Sequence, residues 1–344
     1  RDLLSSGLYQ VGVPRAFGGL DLDYGLILDA ADELGRRCAS SSWCYSLWSA
    51  HAWLVGHWPQ LAQEEVFWDG TEVLCSSSLN PGTSKTKPEN DGFRLTGRWE
   101  FVSGCYSSSW VMVGVAGFEE RTWALVPRVD YQILDTWFVS GLKGTGSKDI
   151  VIENAFVPSY RVLKVESAVC EDCTGWERLK QERYRIPIPC LLGRDLVAPM
   201  LGITQRMIDE FTDRPIGTVG PCRTADSPAI HLRLSEATAE MDAARIFLHR
   251  DICKIFQKAK QGGEFTVLDR ARYRRDKAFI TQLCLRSVNR LFDLSGGHAL
   301  FDSVSLQRFH RDAQAVAHRD GLIMELAGQQ YGRVALGLEP DLRI

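Results

Sequence analysis

The feature that most constrains the fold is a hydrophobic period that changes twice along the chain. Apolar residues recur at helical spacing from residue 3 to about 69, alternate with a period of two from 72 to about 164, and return to helical spacing from 186 onward. Turn signals such as Asn80-Pro81-Gly82 and Asn90-Asp91-Gly92 interrupt the middle stretch. The sequence therefore predicts an α+β protein in which an antiparallel β-domain of about six to eight strands separates two helical parts.

These changes of period also predict the domain organisation. We expect an N-terminal helical domain over residues 1–71, a middle β-barrel domain over 72–165, and a C-terminal four-helix bundle with a tail over 166–344. Amphipathic spacing predicts the bundle helices at 191–211, 228–261, 268–295 and 306–328. The loop at 215–227 should connect the first two of them.

Composition limits which binding partners and which cellular compartment we expect for this chain. Lys and Arg total 40 against 43 Asp and Glu, a net charge of -3 with no basic tract, which argues against nucleic acid and anionic membranes. No apolar run approaches the roughly 20 residues of a membrane span, and the first ten residues do not resemble a signal peptide. The ten scattered cysteines favour a reducing cytoplasm, and the isolated Cys170/Cys173 pair reads as loop cysteines, with no metal expected.

The stretch WEFVSGCYSSSW, residues 99–110, predicts a strand that breaks at Ser103-Gly104 and resumes at Trp110. The break leaves a hydroxyl and free backbone N–H groups beside the aromatic side chains of Trp99 and Phe101. An isoalloxazine ring needs such hydrogen bonds at N5 and its pyrimidine edge, and a flat apolar wall, so these residues are candidates for a flavin site. The alternative is an ordinary hairpin with aromatic core residues.

Four motifs, in order along nearly the whole chain, resemble the acyl-CoA dehydrogenase superfamily. They are GVPRAFGGLDLDY, GRWEFVSGC, GLKGTGSKDIVIENAFVP and LFDLSGGHALFDSVSLQRFHRD. The resemblance implies the superfamily's α+β fold: an N-terminal helical domain, a middle antiparallel β-domain and a C-terminal four-helix bundle.

Within the superfamily, the chain is most similar to the oxygenase components of two-component flavin-dependent monooxygenases, such as 4-hydroxyphenylacetate hydroxylase, 3-hydroxy-steroid-ring hydroxylase and dibenzothiophene monooxygenase. SSSWCYSLWSAHAW resembles the helix that carries an active-site histidine, here His51. The ending YGRVALGLEP also resembles these oxygenases. An acyl-CoA dehydrogenase would carry a catalytic Glu beside Tyr331-Gly332, where this chain has Gln330 and Arg333.

This resemblance implies a reaction and a set of residues. A separate flavin reductase would supply reduced FMN or FAD, O2 would form a C4a-hydroperoxide on it, and an aromatic or polycyclic small molecule would be hydroxylated. The catalytic residues implied are His51, Ser77, Ser103 (at flavin N5) and His318 as the base. Cofactor contacts are expected from Trp99, Phe101, Val102, Ser103, Lys143, Thr145, Ser147, Gly296 and Gly297, and the substrate wall from Trp43, Trp48 and Trp53.

Further features of the resemblance bear on assembly and on the base. Gly296 and Gly297 lie where a neighbouring subunit's bundle meets the cofactor in the superfamily, which implies a homotetramer. The family's bundle histidine follows its Arg-Asp pair by slightly more than His318 follows Arg311, so Arg319 takes the usual place and His318 is turned by about 100 degrees on a continuous helix.

Several alternatives stay open at this stage. They are an acyl-CoA dehydrogenase or oxidase, an N-oxygenase of an amine or amino-sugar, and a flavin-free binding or scaffolding protein of the same shape. For each candidate residue the simpler role is core packing or a solvated hydroxyl. The aromatic helix favours a planar, apolar ring as substrate, and phenols, polyketides, indoles and thiophenes all satisfy that description.

Overall fold

The computed structural model describes residues 2–168, 179–213, 218–219, 222–223 and 226–341. Helices come first and last along the chain, and strands lie between them, so the predicted α+β order is confirmed. Cys170 and Cys173 lie outside the described residues. The helices are α1 Asp2–Ser5, α2 Tyr24–Gly35, α3 Ala39–Val55, α4 Gln60–Val66, α5 Ile188–Leu191, α6 Arg194–Thr212, α7 Pro228–Lys260, α8 Val267–Leu294, α9 Ser305–Ala317 and α10 Met324–Ala335.

Helix α3 is buried on nearly every side, as its apolar and aromatic sequence predicts. It packs against α2 and α6 on its helical side and against the first strand on the other. A helix in this position presents residues to both the helical part and the β-domain. That placement brings His51 and Trp43 to the boundary between the two.

The middle region contains two four-stranded sheets rather than the single antiparallel barrel that we expected. One sheet has the order β1-β4-β5-β8 and the other the order β2-β3-β7-β6. The strands are β1 Cys75–Ser78, β2 Lys85–Pro88, β3 Gly92–Val102, β4 Trp110–Val115, β5 Thr122–Pro127, β6 Gln132–Leu134, β7 Lys148–Pro158 and β8 Val162–Lys164.

The strand β1 also corrects the antiparallel prediction, because it runs parallel to β4, with Ser77 opposite Met112. The other strand pairs of these two sheets are antiparallel. A parallel pair needs a long connection, and here that connection contains the β2–β3 hairpin, which belongs to the second sheet. Local turn signals report only neighbouring strands and so could not reveal this pairing.

Strands β4 and β5 divide their side chains between two cores. Val111 and Val113 point into an inter-sheet core together with Trp99 and Ile150. The alternate residue Met112, with its neighbours on β5, packs against the helices instead. The first sheet is therefore apolar on both faces and belongs to both cores.

The last part of the bundle differs from the sequence prediction. The expected fourth helix over 306–328 is two helices, α9 and α10, separated by a tight turn at Asp320–Leu322. The Arg319 N–H bonds to Val316 O and the Leu322 N–H to Arg319 O, at 3.2 and 2.7 Å, which closes the turn. His318 therefore follows the last residue of α9, and the rotation argued from a continuous helix does not apply.

The predicted loop at 215–227 is only partly described, since residues 214–217, 220–221 and 224–225 lie outside the described part. Thr218–Val219 and Cys222–Arg223 pair as a two-residue antiparallel ladder.

No helix in the described part of the chain is long and apolar enough to cross a membrane. The same ranges contain no group of three or more His, Cys, Asp or Glu side chains arranged to hold a metal ion.

Candidate active site

A cavity of about 630 Å³ lies where α3, the two sheets and the end of α9 meet, and we call it the main cavity. Its volume falls within the range typical of small-molecule and cofactor sites. Its lining includes Trp43, Ser77, Phe101, Ser103, Ser147, His318 and Arg319. Residues that the sequence places far apart are thus brought to one site.

Ser103 forms the centre of a chain of buried hydroxyls on the wall of the main cavity. The Trp43 indole N–H donates to Ser103 Oγ at 3.0 Å. Ser103 Oγ is 2.7 Å from Ser147 Oγ, which is 2.6 Å from Thr145 Oγ1. Behind the turn, Ser76 Oγ donates to the Ser103 carbonyl at 2.7 Å. Both the side chain and the backbone of Ser103 are therefore fixed in place.

The direction of these hydroxyl bonds decides what Ser103 offers to the cavity. In one arrangement Ser103 donates to Ser147, Ser147 to Thr145, and Thr145 to Leu142 O at 2.9 Å. In the other, Thr145 gives up its bond to Leu142 O and donates to Ser147, and Ser147 donates to Ser103. Ser103 then accepts from Ser147 and Trp43, and its own hydrogen is free to be donated into the cavity. The second arrangement provides a directed donor for a ligand.

The buried His51 and the half-buried Ser77 form a second hydrogen-bonded pair, of which Ser77 lines the main cavity. His51 Nδ1 lies 2.7 Å from the Cys75 carbonyl, which can only accept, so Nδ1 carries a proton. Burial lowers the pKa of the His51 imidazole to about 4, so the ring is neutral at pH 7 and Nε2 is an acceptor. The Ser77 hydroxyl therefore donates to Nε2 over 2.9 Å. This pair is able to pass a proton from a cavity ligand through Ser77 to His51.

A bulge in β3 explains why Phe101 faces the main cavity while Trp99 does not. By strict alternation Phe101 would follow Trp99 into the inter-sheet core, but the β3–β7 register shifts between Trp99 and Val102. Phe101 adopts φ +61 there, is 55% exposed and lines the cavity, and Val102 takes the buried place. Trp99 is fully buried, and its indole N–H donates to Gly114 O at 2.9 Å.

The predicted substrate wall is only partly found at the main cavity. Trp43 lines it, whereas Trp48 lies behind the Ser103-Gly104 turn and donates to Ser108 Oγ at 3.1 Å. A Cβ on Gly104 would approach the Trp48 ring to 2.4 Å, so this turn requires glycine. Trp53 is fully buried in the helical core.

Of four further predicted residues, His318 lines the main cavity, whereas Lys143, Gly296 and Gly297 do not. His318 lines the main cavity, is exposed, and its Nδ1 donates to Gln314 O at 2.7 Å, which leaves Nε2 as the acceptor nitrogen. Lys143 lies exposed on the turn before β7. Gly296 and Gly297 are exposed after α8, and a Cβ on either would meet nothing within 4 Å in this chain.

The cavity wall fits a flavin on three observations. The hydroxyl chain ends at Ser103 with a donor that can point inward, Phe101 and Trp43 provide apolar surface, and the volume suits a large planar ligand. The base expected of an acyl-CoA dehydrogenase is not matched, since Gln330 Oε1 instead accepts the Asp341 N–H at 2.8 Å.

Sequence reasoning missed a second chamber of about 270 Å³, which we call the side chamber. It shares Leu47, Ser77 and Arg319 with the main cavity, and His51 also lines it. Three of its cations come from α8 at positions i, i+4 and i+7, which places them on one face of a helix. This spacing in the sequence is the signal that could have found them: Arg270, Arg274 and Lys277.

Similarity to known proteins agrees with this geometry. Residues 196–320 match the family model "Acyl-CoA dehydrogenase, C-terminal domain". The chain is 34% identical over 352 residues to the oxygenase component of an FADH(2)-dependent resorcinol hydroxylase from Rhizobium sp. (strain MTP-10005), covering 97% of this chain and 86% of that protein. It is 30% identical over 345 residues to the flavin-dependent monooxygenase oxygenase subunit HsaA of Rhodococcus jostii (strain RHA1), covering 98% and 90%.

Solved structures give the same result. The crystal structure of 3-HSA hydroxylase from Rhodococcus sp. RHA1 superposes with a TM-score of 0.92 at 30% identity, covering 99% of this chain and 89% of that one. XiaF from Streptomyces sp., solved with FADH2 and glycerol, also gives 0.92, and its 23% identity supports the fold alone. Fold and site thus define an enzyme of the acyl-CoA dehydrogenase fold. More narrowly, the chain belongs to the oxygenase components of the flavin-dependent monooxygenases, as predicted.

Proposed function

We propose that this oxygenase binds reduced flavin against the Ser103 hydroxyl chain and hydroxylates a phenolic ring held beside Ser77. The single observation that carries the proposal is the neutral His51–Ser77 pair, which opens on the same cavity as Ser103. Reduced flavin, supplied by a separate reductase, provides the chemistry that activates O2. The relatives named above, a resorcinol hydroxylase and HsaA, favour an aromatic substrate.

Ser103 would hold the flavin by donating to ring N5, with Phe101 and Trp43 against the ring. In the second hydroxyl arrangement Thr145 and Ser147 support this donation, because Ser147 then donates to Ser103 and the Ser103 hydrogen is free. Lys143 stays our candidate phosphate contact, and Gly296 and Gly297 stay candidates for contact from a neighbouring subunit of a homotetramer.

His51 would act as the base that activates the substrate. A phenol O–H donates to Ser77 Oγ, whose own hydrogen already points at His51 Nε2. Transfer along this pair makes the ring oxygen more electron-rich and so increases the reactivity of the adjacent ring carbon toward an electrophilic oxygen. His318, which also lines the main cavity, is a second candidate base, because its Nδ1 is engaged by Gln314 O and its Nε2 faces no partner in the described residues.

The test supplies the purified chain with a flavin reductase, NADH, FMN or FAD, and a panel of phenols under isotopically labelled O2. Mass spectrometry should show one labelled oxygen atom in the product. His51→Gln keeps an acceptor and a donor at this position but does not accept the proton, so product formation should fall on the order of a hundredfold.

The control is His249→Gln, which changes an exposed histidine on α7 that lines neither chamber and should leave the rate unchanged. Two results would contradict the proposal: labelled oxygen recovered only as hydrogen peroxide with every phenol, or equal product from wild type and His51→Gln.

A further inference from the structure

The side chamber carries a strong excess of positive charge. Five cationic side chains line it against two carboxylates, those of Asp195 and Asp320. The cations come from three parts of the fold, namely the residue before β5, one face of α8, and the turn after α9. They are Arg121, Arg270, Arg274, Lys277 and Arg319.

Two of these cations lack a protein partner within the described residues. The Arg270 Nε is buried without a hydrogen-bond partner there. The Arg319 guanidinium forms no hydrogen bond or ion pair in the same ranges, although it lies at the junction of the two chambers. By contrast, Arg121 pairs with Glu166 at 3.3 Å, and Lys277 donates to Leu192 O at 2.6 Å.

Burial makes this arrangement costly as it stands. The buried Arg270 Nε has lost hydration without gaining a hydrogen bond in the described residues, and burial lowers the pKa of the Arg319 guanidinium although Asp320 and Asp195 attract it. Lys277 shows the effect of placing positive charges close together in a buried position. Burial and the nearby Arg194 lower the pKa of its ammonium to about 7. Burial raises the pKa of the Asp195 carboxyl to about 6, so Asp195 is still mostly ionised at pH 7, but two carboxylates do not balance the cations that line the chamber. The chamber is therefore suited to an anion.

We propose that the side chamber binds the carboxylate of the substrate, so that the substrate is a phenolic acid. The inference rests on the proposed function and narrows it to a chemical class. The phenol ring would lie beside Ser77 in the main cavity, and its carboxylate would reach Arg270 and Arg319. A guanidinium presents two parallel N–H donors, which match the two oxygens of a carboxylate.

The geometry favours a substrate anion over a flavin phosphate. The side chamber borders the His51–Ser77 pair, whereas Ser103 and Ser147, the flavin contacts, line only the main cavity. Of the five cations, only Arg319 reaches both chambers. An anion bound at Arg270 is therefore on the substrate side of Ser77.

The experiment measures binding directly, with the flavin-free chain and isothermal titration. The probes are 3-(4-hydroxyphenyl)propanoate and its uncharged amide, which have the same ring and nearly the same shape. We expect the acid to bind roughly tenfold or more tightly than the amide. Arg270→Gln should abolish this preference, and Arg270→Lys should restore part of it.

Arg286→Gln is the matched control. It lies on the same helix α8 and removes the same charge, but its side chain is half exposed and pairs with Glu240 at 3.0 Å on the surface. The acid preference should survive this change. Equal binding of acid and amide by wild type would overturn the inference, as would an Arg270→Gln variant that loses FMN affinity and keeps the acid preference.

A failure of this inference can be told from a failure of the proposed function. Labelled oxygen in the product of the amide, with no acid preference in binding, would leave the oxygenase standing and remove the carboxylate site. An acid preference that depends on Arg270, with no hydroxylation of either probe, would keep the anion site and remove the phenol hydroxylase.

Discussion

The two histidines predicted to be catalytic differ because of their surroundings: His318 lines the main cavity, whereas His51 lines the side chamber and reaches the main cavity through Ser77. His51 is buried, with one nitrogen on a backbone carbonyl and the other on Ser77. His318 is exposed at the end of α9, where only one nitrogen is engaged. Burial keeps His51 neutral and so fixes which way the Ser77 hydrogen points. At the scale of single residues, the site depends on where each imidazole lies in the fold.

The buried state of His51 predicts a pH dependence of stability. Its pKa is about 4 when folded and near 6.5 when unfolded, so the unfolded state binds the proton first as the pH falls. Stability from this group is present above about pH 6.5 and is lost toward pH 4. The loss corresponds to roughly 2 to 3 kcal/mol by about pH 4.5. Urea unfolding of wild type and His51→Gln at about pH 7 and pH 4.5 measures it.

In that experiment His51→Gln should show a shallower decline of the free energy of unfolding than wild type. His57 is also buried, with its pKa lowered to about 4 by burial, so part of the decline remains in the variant. His298→Gln, at an exposed position, should decline as wild type does. Parallel declines in wild type and His51→Gln would show that His51 is not held neutral.

Residue-scale prediction from sequence named residues that the fold brings together where a motif carried them, and the catalytic roles of those residues stay predictions. Ser77, Ser103 and His318 reach the main cavity, and His51 joins them through Ser77. It failed for Trp99 and Trp53, which are buried in the two cores, since an aromatic residue in a sequence does not reveal which side of its element it occupies. A bulge turns the Phe101 side chain toward the main cavity, whereas strict alternation along β3 would place it in the inter-sheet core.

At the scale of elements, helix α9 of the bundle is hydrogen-bonded to the turn that precedes β7. The Leu142 N–H donates to Asp312 Oδ1 on α9 at 2.6 Å, and Arg311 Nη1 donates to Ser140 O at 2.6 Å. Gly141 permits this approach, because a Cβ there would lie 2.1 Å from Arg311 O. The helix thus positions the turn that carries Thr145 and Ser147.

Asp312→Ala should remove the hydrogen bond between α9 and this turn. The Leu142 N–H would be left buried without an acceptor, which costs about 1–3 kcal/mol of stability. The turn would also hold its hydroxyls less firmly, so the affinity for reduced FMN in an anaerobic titration should fall several-fold. Urea unfolding measures the first effect.

Asp312→Asn is the informative companion, because the amide oxygen still accepts from Leu142 and should retain most of both properties. Asp302→Ala, at an exposed position before α9, serves as the control. A normal FMN affinity in Asp312→Ala would show that the turn is held by other contacts.

Most elements were predictable from period and turn signals, and the exceptions have a common cause. The helices at 228–260 and 267–294 end within two residues of the predicted limits. Neither the parallel β1–β4 pair nor the break after Ala317 is recorded in the apolar spacing of the sequence. The apolar spacing continues across that break, so the pattern alone predicts one helix where there are two.

Across the whole molecule, the first sheet links the helical core to the inter-sheet core. Met112 and Val113 are adjacent on β4 and fully buried, yet they belong to different cores. Loss of packing on one face of a strand weakens the strand for the other face as well. We therefore expect both cores to unfold in one cooperative transition.

Met112→Ala and Val113→Ala test this coupling. Each should cost roughly 2 kcal/mol or more, because each leaves a cavity in a close-packed core. In urea, the unfolding midpoint of the helices, measured by far-ultraviolet CD, and that of β3, measured by hydrogen exchange of its amides, should fall together in both variants. The exposed Val129→Ala should shift neither. A β3 transition that moves alone in Val113→Ala would show that the cores unfold separately.

The main cavity draws its walls from positions as distant as Trp43 and Asp320. A ribosome makes the aromatic helix and the Ser103 turn long before it makes α9, so the growing chain first holds half a cavity that is open to solvent. Flavin affinity would then arise late in synthesis, when Asp312 reaches Leu142. A chain stalled before that moment would carry an exposed apolar groove and no bound cofactor, and both are features by which a cell's quality control could distinguish it from the finished enzyme.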